Sequence, residues 1–513
     1  MTAIVTSAFR TVNAENFKQD VADANTSVYV GIGKADAWSA SLSDTTDGAI
    51  SQFPPLDNLD VLGEAHQNMI GMKLVNSADI SHVVPRYTWT SNTTYHAWDS
   101  SEADIFDKKF YIITSEFKVY VCIDNGSSGD NVLGNISQDE PTFTDLEPSK
   151  AGNSGDGYIW KYLFTVSPSD IIKFDSTEYI TVPNSWSTTT DSQIRLVREN
   201  GNSDVNLNQI KHVYIENAGT GYANGLGQEV DILGDGSGAK ARVDVVNGKI
   251  TDVTVSAGGK GYTYGIVDLG TLNSNVGAGR AKLIPIIPPA LGHGSDVYSE
   301  LGTDKVIIYA RFDDSTKDFP IDTKFAQVGI VKNPTKVGTD IIYTDTTYSS
   351  LQAFKFDTVS GTPIVGEEIK QVLTVSPNVG KVATGFVASY DKETKVLKYF
   401  RDRSLYFNKT SYDHTDYTGI STSGRIYEFE SAIGANDIEG KSSSFSGAIS
   451  LNFSGITTNP TGNKLINLGT NFNSGLSESE INKGSGDIVY LDNRPQIVRN
   501  SRQKEDIKII LEF

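Results

Sequence analysis

His293, Ser295 and Asp296 lie together in the segment HGSD and are the residue types of a serine hydrolase triad. In such a site the serine attacks a carbonyl, the histidine takes its proton, and the carboxylate orients the histidine. Triads are recognised by their geometry in space, which neighbours in sequence rarely satisfy. We therefore interpret this segment as a tight turn that enters a strand.

Two acidic groups have residue types suited to other chemistry. Asp313, Asp314 and Asp318 offer a carboxylate pair such as a glycosidase uses. Four further carboxylates within one turn-rich segment offer oxygen ligands for a hard cation: Asp99, Glu102, Asp104 and Asp107. The order D-x-[DN]-x-[DN]-G is absent from the second group, which we interpret as a solvated surface. A carboxylate pair can be drawn in almost any acidic β protein, so the first group predicts no activity.

The remaining motifs also predict no enzyme. The six histidines show no HxH or HxxxH spacing, and the chain has no GxSxG or GxxxxGK[ST] motif. The glycines of GDGSGAK, residues 234–240, have the wrong spacing for a phosphate loop, so this segment predicts a structural turn. Cys122 is the only cysteine and lies in the apolar run VYVCI, which indicates a buried small hydrophobe. We expect no catalytic residue, no cofactor and no metal site.

The charge balance bears on the partners of the chain. The 513 residues include 44 basic and 63 acidic ones, which gives a net charge of −19. Because no Lys/Arg-rich run offsets this charge, we expect no binding to nucleic acid or to an anionic membrane. The N-terminal sequence lacks the apolar core of a signal peptide, and no apolar run reaches the ~18 residues of a membrane span. We expect a soluble product of a reducing cytosol.

Helix signals are concentrated near the start of the chain. Asn13 is placed to cap a short helix in which Phe17 and Val21 share a face, and Asn58 is placed to cap a second. The apolar stripe of that second helix is Leu62, Ala65, Met69 and Met72.

Strand signals dominate from Asp79 onward. FYIITSEFKVYVCI predicts two strands with a turn at 115–117, YIWKYLFTV predicts another, and SPSD predicts a cap or turn. DIVYLDNRP and EDIKIILEF predict a closing strand pair, with a turn at Asp492 and Asn493.

An internal repeat occupies Asp204 to Pro289. Gly219, Gly221 and Tyr222 recur 40 residues later as Gly259, Gly261 and Tyr262, and Ala241 recurs as Ala281. A fixed period of this size indicates two copies of one supersecondary unit. Each copy predicts three strands joined by glycine-rich turns, with a hairpin at NGKITDVTVS between the copies.

These observations predict an α+β fold that is mainly β. We expect antiparallel-sheet domains with a few short N-terminal helices and an inserted Gly-rich all-β repeat module. The predicted ranges are an N-terminal α+β domain at 1–203, the module at 204–289, a β-sandwich-like domain at 290–403, a polar loop-rich excursion or insertion at 404–483, and C-terminal strands at 484–513.

The aromatic residues are the strongest candidates for contact with other proteins. Large aromatic side chains with polar tips serve both cores and interfaces. Tyr95 and Trp98 lie on a polar turn, so a position in an interface and a position in the core both remain open for them. Trp160 lies on a strand, and we expect it in the core. In the repeat module, Tyr222 and Tyr262 are candidate carbohydrate or partner contacts.

The order of several segments resembles a baseplate wedge subunit of contractile-tailed, T-even-like bacteriophages. The segments are VVPRYTW, TYHAWDS, FYIITSEFKVYVCIDN, GDGYIWKYLF and IIKFDSTEYITVP, followed later by HGSD, ELGTDKVIIYARF, VGIVKNP and GDIVYLDNRPQIVRNSRQKEDIKIILEF. The resemblance covers about 1–182, much of 292–400 and 486–513, and leaves out the repeat module and Ser404 to Lys483. None of these segments is a catalytic signature.

The resemblance implies a non-enzymatic virion protein of the tail baseplate, assembled in the host cytoplasm. It also implies a homodimer that holds other baseplate wedge proteins and relays rearrangement before the sheath contracts. We expect the unmatched regions to contact tail-fibre or fibre-adaptor proteins. Two alternatives stay open: a receptor-binding or glycan-cleaving tail spike or fibre-associated protein, and a bacterial contractile-injection component of the same ancestry.

Overall fold

The computed structural model describes residues 4–35, 55–202, 207–272, 279–312, 324–401, 406–408, 413–415, 427–460, 462, 464–482, 484–499 and 504–513. In these ranges the protein is mainly β, and the strand pairs with defined register run antiparallel, as predicted. The described helices are Ser7–Ala22, Leu59–Asn68, Pro168–Phe174, Ser192–Asn202 and Val297–Leu301. The sequence predicted the first two and missed the other three.

The chain divides into two compact units. The first consists of residues 1–18, 80–308 and 509–513, and the second of residues 19–79 and 309–508. The consecutive domain ranges given above are a different division, and they stay a prediction. Each unit is built around its own sheets.

Within the described ranges, four sheets lie wholly or mainly in the first unit. In sheet order, the strands of the first sheet are Glu505–Glu512, Lys305–Phe312, Ile80–Pro85 and Tyr179–Val182, and those of the second are Tyr111–Ile113, Lys118–Asp124, Ile159–Thr165 and Ser149–Lys150. The third sheet consists of Lys249–Lys260, Ser237–Val246, Gly225–Gly234 and Gly265–Val267. The fourth is the pair Lys282–Ile286 and His212–Asn217. The second sheet, which we call the aromatic sheet, is formed by the strands predicted from FYIITSEFKVYVCI and YIWKYLFTV. Ser167 caps the helix Pro168–Phe174, so the cap predicted at SPSD is confirmed.

The repeat module consists of the third and fourth sheets and has its own core. Its predicted hairpin is confirmed, because Val246 pairs with Lys249 across Asn247 and Gly248, which both have positive φ. The two copies bind each other reciprocally. The Ile210 N–H donates to the Gly258 carbonyl at 3.0 Å, and 40 residues later the Ile250 N–H donates to the Ala218 carbonyl at 3.0 Å. Each copy therefore completes the backbone hydrogen bonds of the other.

The described part of the second unit contains two large sheets and two strand pairs. In sheet order, the strands of the first large sheet are Thr347–Tyr348, Met69–Leu74, Val28–Gly33, Lys324–Lys332 and Asp487–Val498. The strand pairs are Tyr406–Asn408 with Asp413–Thr415 and Gly455–Thr458 with Ile466–Phe472. The strands of the second large sheet are Val396–Phe400, Val382–Asp391, Glu368–Val372, Ile438–Gly440, Ser446–Ile449, Gln352–Ser360 and Leu476–Ser477. Val396–Phe400 also pairs with Gln352–Ser360, which closes six of these strands into a barrel. Phe354 and Tyr399 stack inside its core, with ring centroids 4.4 Å apart.

Two features of the predicted helices are corrected. The first helix begins at Ser7, before Asn13, because the Thr6 hydroxyl accepts from the Phe9 N–H and supplies the cap. The second helix has its predicted cap, since Asn58 accepts from the Val61 N–H at 2.9 Å. It ends at Asn68, however, and Met69 and Met72 lie in a strand that pairs with Val28–Gly33.

The predicted C-terminal strand pair is also wrong. Asp487–Val498 and Glu505–Glu512 are strands, but they belong to different sheets. Asp492 and Asn493 lie inside the first strand, where they pair with Val328 and Gln327. The Gln327 amide donates to Asn493 Oδ1 at 2.8 Å, so a pair of residues typical of turns is held in extended conformation by its neighbouring strand.

Candidate functional site

Tyr95 and Trp98 lie in the core of the first unit. Tyr95 is 1% exposed and Trp98 is 8% exposed. The Tyr95 N–H donates to the Tyr158 hydroxyl at 2.9 Å, and its ring meets Trp160 edge-on at 5.7 Å. The structure thus places both aromatic candidates of the polar turn in the interior, because the turn folds over the aromatic sheet instead of projecting from it. Trp160 is fully buried.

Tyr222 and Tyr262 lie in the core of the repeat module, where they have equivalent roles. The Tyr222 hydroxyl accepts from the Ala281 N–H at 3.0 Å, and the Tyr262 hydroxyl accepts from the Ala239 N–H at 3.2 Å. The rings are 7% and 1% exposed, so neither presents a face on which a sugar could stack. Tyr222 and Tyr262 were expected at the surface, but the structure places both of them in the core of the module.

His293 does not form a triad with its neighbours. Its Nδ1 lies 2.7 Å from Glu300 Oε1, while Glu300 Oε2 accepts from the Gly294 N–H at 2.7 Å. Asp296 caps the helix Val297–Leu301, and the Ser295 carbonyl accepts from the Trp186 indole at 3.0 Å. The predicted turn is therefore present, but it leads into a helix and not into a strand.

Two carboxylates of the acidic group near Trp98 pair with one lysine of the protein itself. Lys108 Nζ lies 2.8 Å from Glu102 Oε1 and 3.2 Å from Asp104 Oδ1, and Asp99 accepts from the Ser101 N–H and hydroxyl. Within the described ranges, no group of three His, Cys, Asp or Glu side chains has the geometry to hold a metal ion. The other acidic candidates, Asp313, Asp314 and Asp318, lie outside the described residues.

Cys122 is buried in the aromatic sheet, as the apolar run predicted. Its thiol donates to the Asp124 carbonyl at 3.4 Å, and burial raises the pKa of the thiol well above its ordinary value. A thiol in that state is a poor nucleophile, because the thiolate is the reactive form. The segment GDGSGAK forms the turn between the strands Gly225–Gly234 and Ser237–Val246.

A polar cleft of about 670 Å³ lies between the aromatic sheet and the repeat module, within the first unit. One wall carries Asp124 and Glu147, and the module contributes Lys211, His212 and residues 251–258. Lys211 Nζ lies 2.6 Å from Glu147 Oε2, and His212 Nδ1 lies 3.5 Å from Asp124 Oδ2. In both contacts a basic side chain of the module faces a carboxylate of the opposite wall, so the polar groups of the cleft already bind one another. Sequence patterns did not reveal it, because its two walls are far apart along the chain.

Lys161, close to this cleft, is a buried cation that the sequence analysis missed. Its side chain is 1% exposed, and Nζ donates to the Leu146 carbonyl at 2.7 Å. Burial lowers the pKa of Lys161 from 10.5 to about 8, Lys211 adds to that effect, and the carboxylates of Glu147 and Glu300 oppose it. The ammonium is therefore held at an energetic cost at neutral pH.

We expect Lys161→Met to change how stability depends on pH. The folded pKa is below the unfolded one, so between pH 8 and 10.5 the unfolded chain binds more protons and the stability of the native protein rises with pH. From pH 7 to pH 9 this gain is about 1.3 kcal/mol, and the variant should lack it. Urea unfolding of both proteins at both pH values measures the difference. Burial raises the pKa of Tyr120 and Tyr158, which makes stability fall as pH rises, but this effect is the same in both proteins and cancels in the comparison.

At pH 7 the same variant should be as stable as the native protein or more stable, because an apolar side chain avoids the cost of burying charge. The Leu146 carbonyl keeps a donor, the Asn200 amide at 3.0 Å. An equal pH slope in both proteins would contradict this account of Lys161.

Comparison with known proteins gives a distant similarity. No protein-family model matches the chain. The baseplate wedge protein gp8 of Enterobacteria phage T4 is 27% identical to it over an alignment of 209 residues, which covers 35% of this chain and 60% of that protein. Among the described residues, no helix is long and apolar enough to cross a membrane. The chain is therefore a distant relative of a phage baseplate wedge protein, with the similarity spanning about three fifths of that protein.

Proposed function

We propose that the chain is a structural component of a phage tail baseplate wedge and has no catalytic activity. The observation that carries the proposal is its 27% identity with the baseplate wedge protein gp8 over 209 residues. The aromatic segments that resemble wedge subunits supply much of one buried cluster, which includes Tyr95, Trp98, Tyr158 and Trp160. What the chain shares with wedge proteins in these segments is thus a scaffold.

In this role the chain is located in the tail baseplate of the virion after assembly in the host cytoplasm. It forms a homodimer, holds neighbouring wedge proteins and relays their rearrangement before the sheath contracts. The repeat module, which lies outside the segments that resemble wedge subunits, adds contacts to tail-fibre or fibre-adaptor proteins. The net charge of −19 suits protein partners better than nucleic acid or an anionic membrane.

The test is the mass of the purified full chain in solution, measured by light scattering at several concentrations. We expect twice the mass of the single chain throughout, because a wedge dimer has a closed, two-fold interface. A monomer at every concentration would contradict the proposed dimer. A trimer would favour the spike or fibre alternative, which would then be assayed on host surface polysaccharides.

A matched variant removes most of the module but keeps the strand pair formed by His212–Asn217 and Lys282–Ile286. Asn217 and Lys282 pair across the two strands that join the module to the rest of the unit. Replacing residues 218–281 by an Asn-Gly turn therefore keeps that strand pair. We expect this variant to remain a dimer in the same measurement. A monomeric variant would place the dimer contact on the module itself.

A further inference from the structure

The outer face of the module's four-stranded sheet carries an apolar patch at one end. Leu233 and Ile266 are directly paired across neighbouring strands and are 50% and 64% exposed. Tyr264, two residues before Ile266, is 64% exposed. We call these three side chains the edge patch. Their neighbours Ile232 and Val267 point into the module core and are 3% and 6% exposed, so the strands alternate between an inner and an outer face.

The edge patch departs from the rest of that outer face. In an antiparallel sheet with one solvated side, the outward positions are normally polar. Farther along the same sheet they are Glu229, Asp231, Lys240 and Arg242. Lys240 pairs with Glu229 at 2.6 Å and with Asp231 at 3.6 Å. Large apolar side chains grouped within a polar face are typical of a surface that binds another protein.

The backbone beneath Tyr264 is held in place before any partner arrives. Asp235 accepts hydrogen bonds from the Thr263 N–H at 2.9 Å and from the Tyr264 N–H at 3.2 Å, and the Thr263 hydroxyl donates to its other oxygen. Gly234 permits this approach, since a Cβ there would lie 2.2 Å from the Tyr264 carbonyl. An aromatic side chain on a fixed backbone loses less entropy when it binds a partner.

The rim of the edge patch is acidic. Asp235 and Asp268 follow Leu233 and Ile266 at a distance of two residues. Asp231, which shares Lys240 with Glu229, lies next to Asp268, whose N–H donates to the Asp231 carbonyl at 2.8 Å. Hydrogen bonds from Thr263 lower the pKa of Asp235 to about 2, so this carboxylate stays charged at neutral pH. A second copy docked through the same patch would bring the same acidic rim, and like charges across an interface oppose binding.

We propose that the edge patch is the docking surface for a different protein, one that presents apolar side chains within a ring of lysines and arginines. Apolar contact supplies the affinity, and the acidic rim selects the partner by its charge. This inference goes beyond the baseplate role and does not depend on it, because it rests only on the module's surface.

The first test uses a defined probe on the full chain. A fluorescent peptide of alternating leucine and lysine should bind in 0.15 M salt, and a leucine and glutamate peptide should not. Leu233→Ser combined with Ile266→Ser should weaken binding about tenfold or more. Leu226→Ser is the matched control, since Leu226 is 76% exposed on the same strand but seven residues from Leu233. Equal weakening by the control, or none by the double variant, would overturn the proposal.

The second test identifies what covers the patch in the native assembly. Benzoylphenylalanine placed at position 264 of the full chain should crosslink, under light, to a different polypeptide. Mass spectrometry should find an apolar segment flanked by basic residues at the crosslink, and the double serine variant should abolish it. Crosslinks to a second copy of this chain, to an acidic segment or to no protein would each contradict the proposal.

Discussion

Replacing Glu300 by alanine is expected to lower the free energy of unfolding by about 3–5 kcal/mol. The Glu300 side chain is fully buried and the His293 side chain is 4% exposed. One carboxylate oxygen meets His293 Nδ1 and the other accepts from the Gly294 N–H, both at 2.7 Å. Removal of the carboxylate leaves two buried polar groups, His293 Nδ1 and the Gly294 N–H, without the partner that they have in the native protein.

Chemical denaturation of the native protein, Glu300→Ala and Glu300→Gln measures this effect. The glutamine keeps one acceptor oxygen, so its loss of stability should be intermediate. Glu178→Ala is the matched control, because Glu178 is exposed, and its change should stay within about 0.5 kcal/mol. If Glu300→Ala were as mild as the control, the His293–Glu300 contact would not contribute to the stability of the fold.

The same pair shows what the sequence could and could not reveal about the site. HGSD drew attention to His293 because Ser295 and Asp296 follow it at once. The partner of His293 is Glu300, which lies on the next helix and carries no motif. Which of several nearby carboxylates meets a histidine depends on how the chain turns between them. Local patterns can suggest such a turn but cannot fix its direction.

Elements with a strong local signal were predicted well. The strand Ile159–Thr165 and the hairpin around Asn247 and Gly248 follow from β-branched and aromatic runs and from turn residues. Where local signal and tertiary pairing disagreed, pairing prevailed. Met69 and Met72 fit a helical stripe, yet they pair in a sheet with Val28–Gly33, a strand far away in sequence.

Aromatic residues were hardest to assign for a similar reason. Trp160 could be placed in the core because it lies on an apolar strand. Tyr95 and Trp98 lie among polar residues, and only the fold shows that Tyr158 and His293 cover them. Conversely, Leu233 and Ile266 fit the pattern of core residues in sequence, but the pairing of their strands places them on the outer face.

The repeat module offers the second large effect, at Gly259. We expect Gly259→Ala to lower the free energy of unfolding by about 2–5 kcal/mol, the sum of two costs. Gly259 has φ +62°, and an L-residue there costs about 1–2 kcal/mol. In addition, its Cβ would lie 2.5 Å from the Ala239 nitrogen and 2.7 Å from the Tyr262 ring, and such overpacking costs about 1–3 kcal/mol more.

Gly261→Ala separates the two costs. Gly261 also has positive φ, at +76°, but a Cβ there meets no other atom within 4 Å. Its loss of stability should therefore be limited to about 1–2 kcal/mol. Urea denaturation of both variants at neutral pH gives the comparison. Equal losses would show that the close packing of Gly259 against Ala239 and Tyr262 is not tight enough to exclude a methyl group.

The equivalent glycine of the other copy should give the same result. Gly219, the equivalent of Gly259, would bring a Cβ within 2.6 Å of the Ala281 nitrogen and 2.8 Å of the Tyr222 ring. Gly219→Ala should therefore cost about as much as Gly259→Ala. Each copy donates backbone hydrogen bonds to the other, so in both variants we expect the whole module to unfold in one transition. Hydrogen exchange should then show that the amides of both copies lose protection together. Loss of protection in one copy alone would contradict the mutual dependence of the copies.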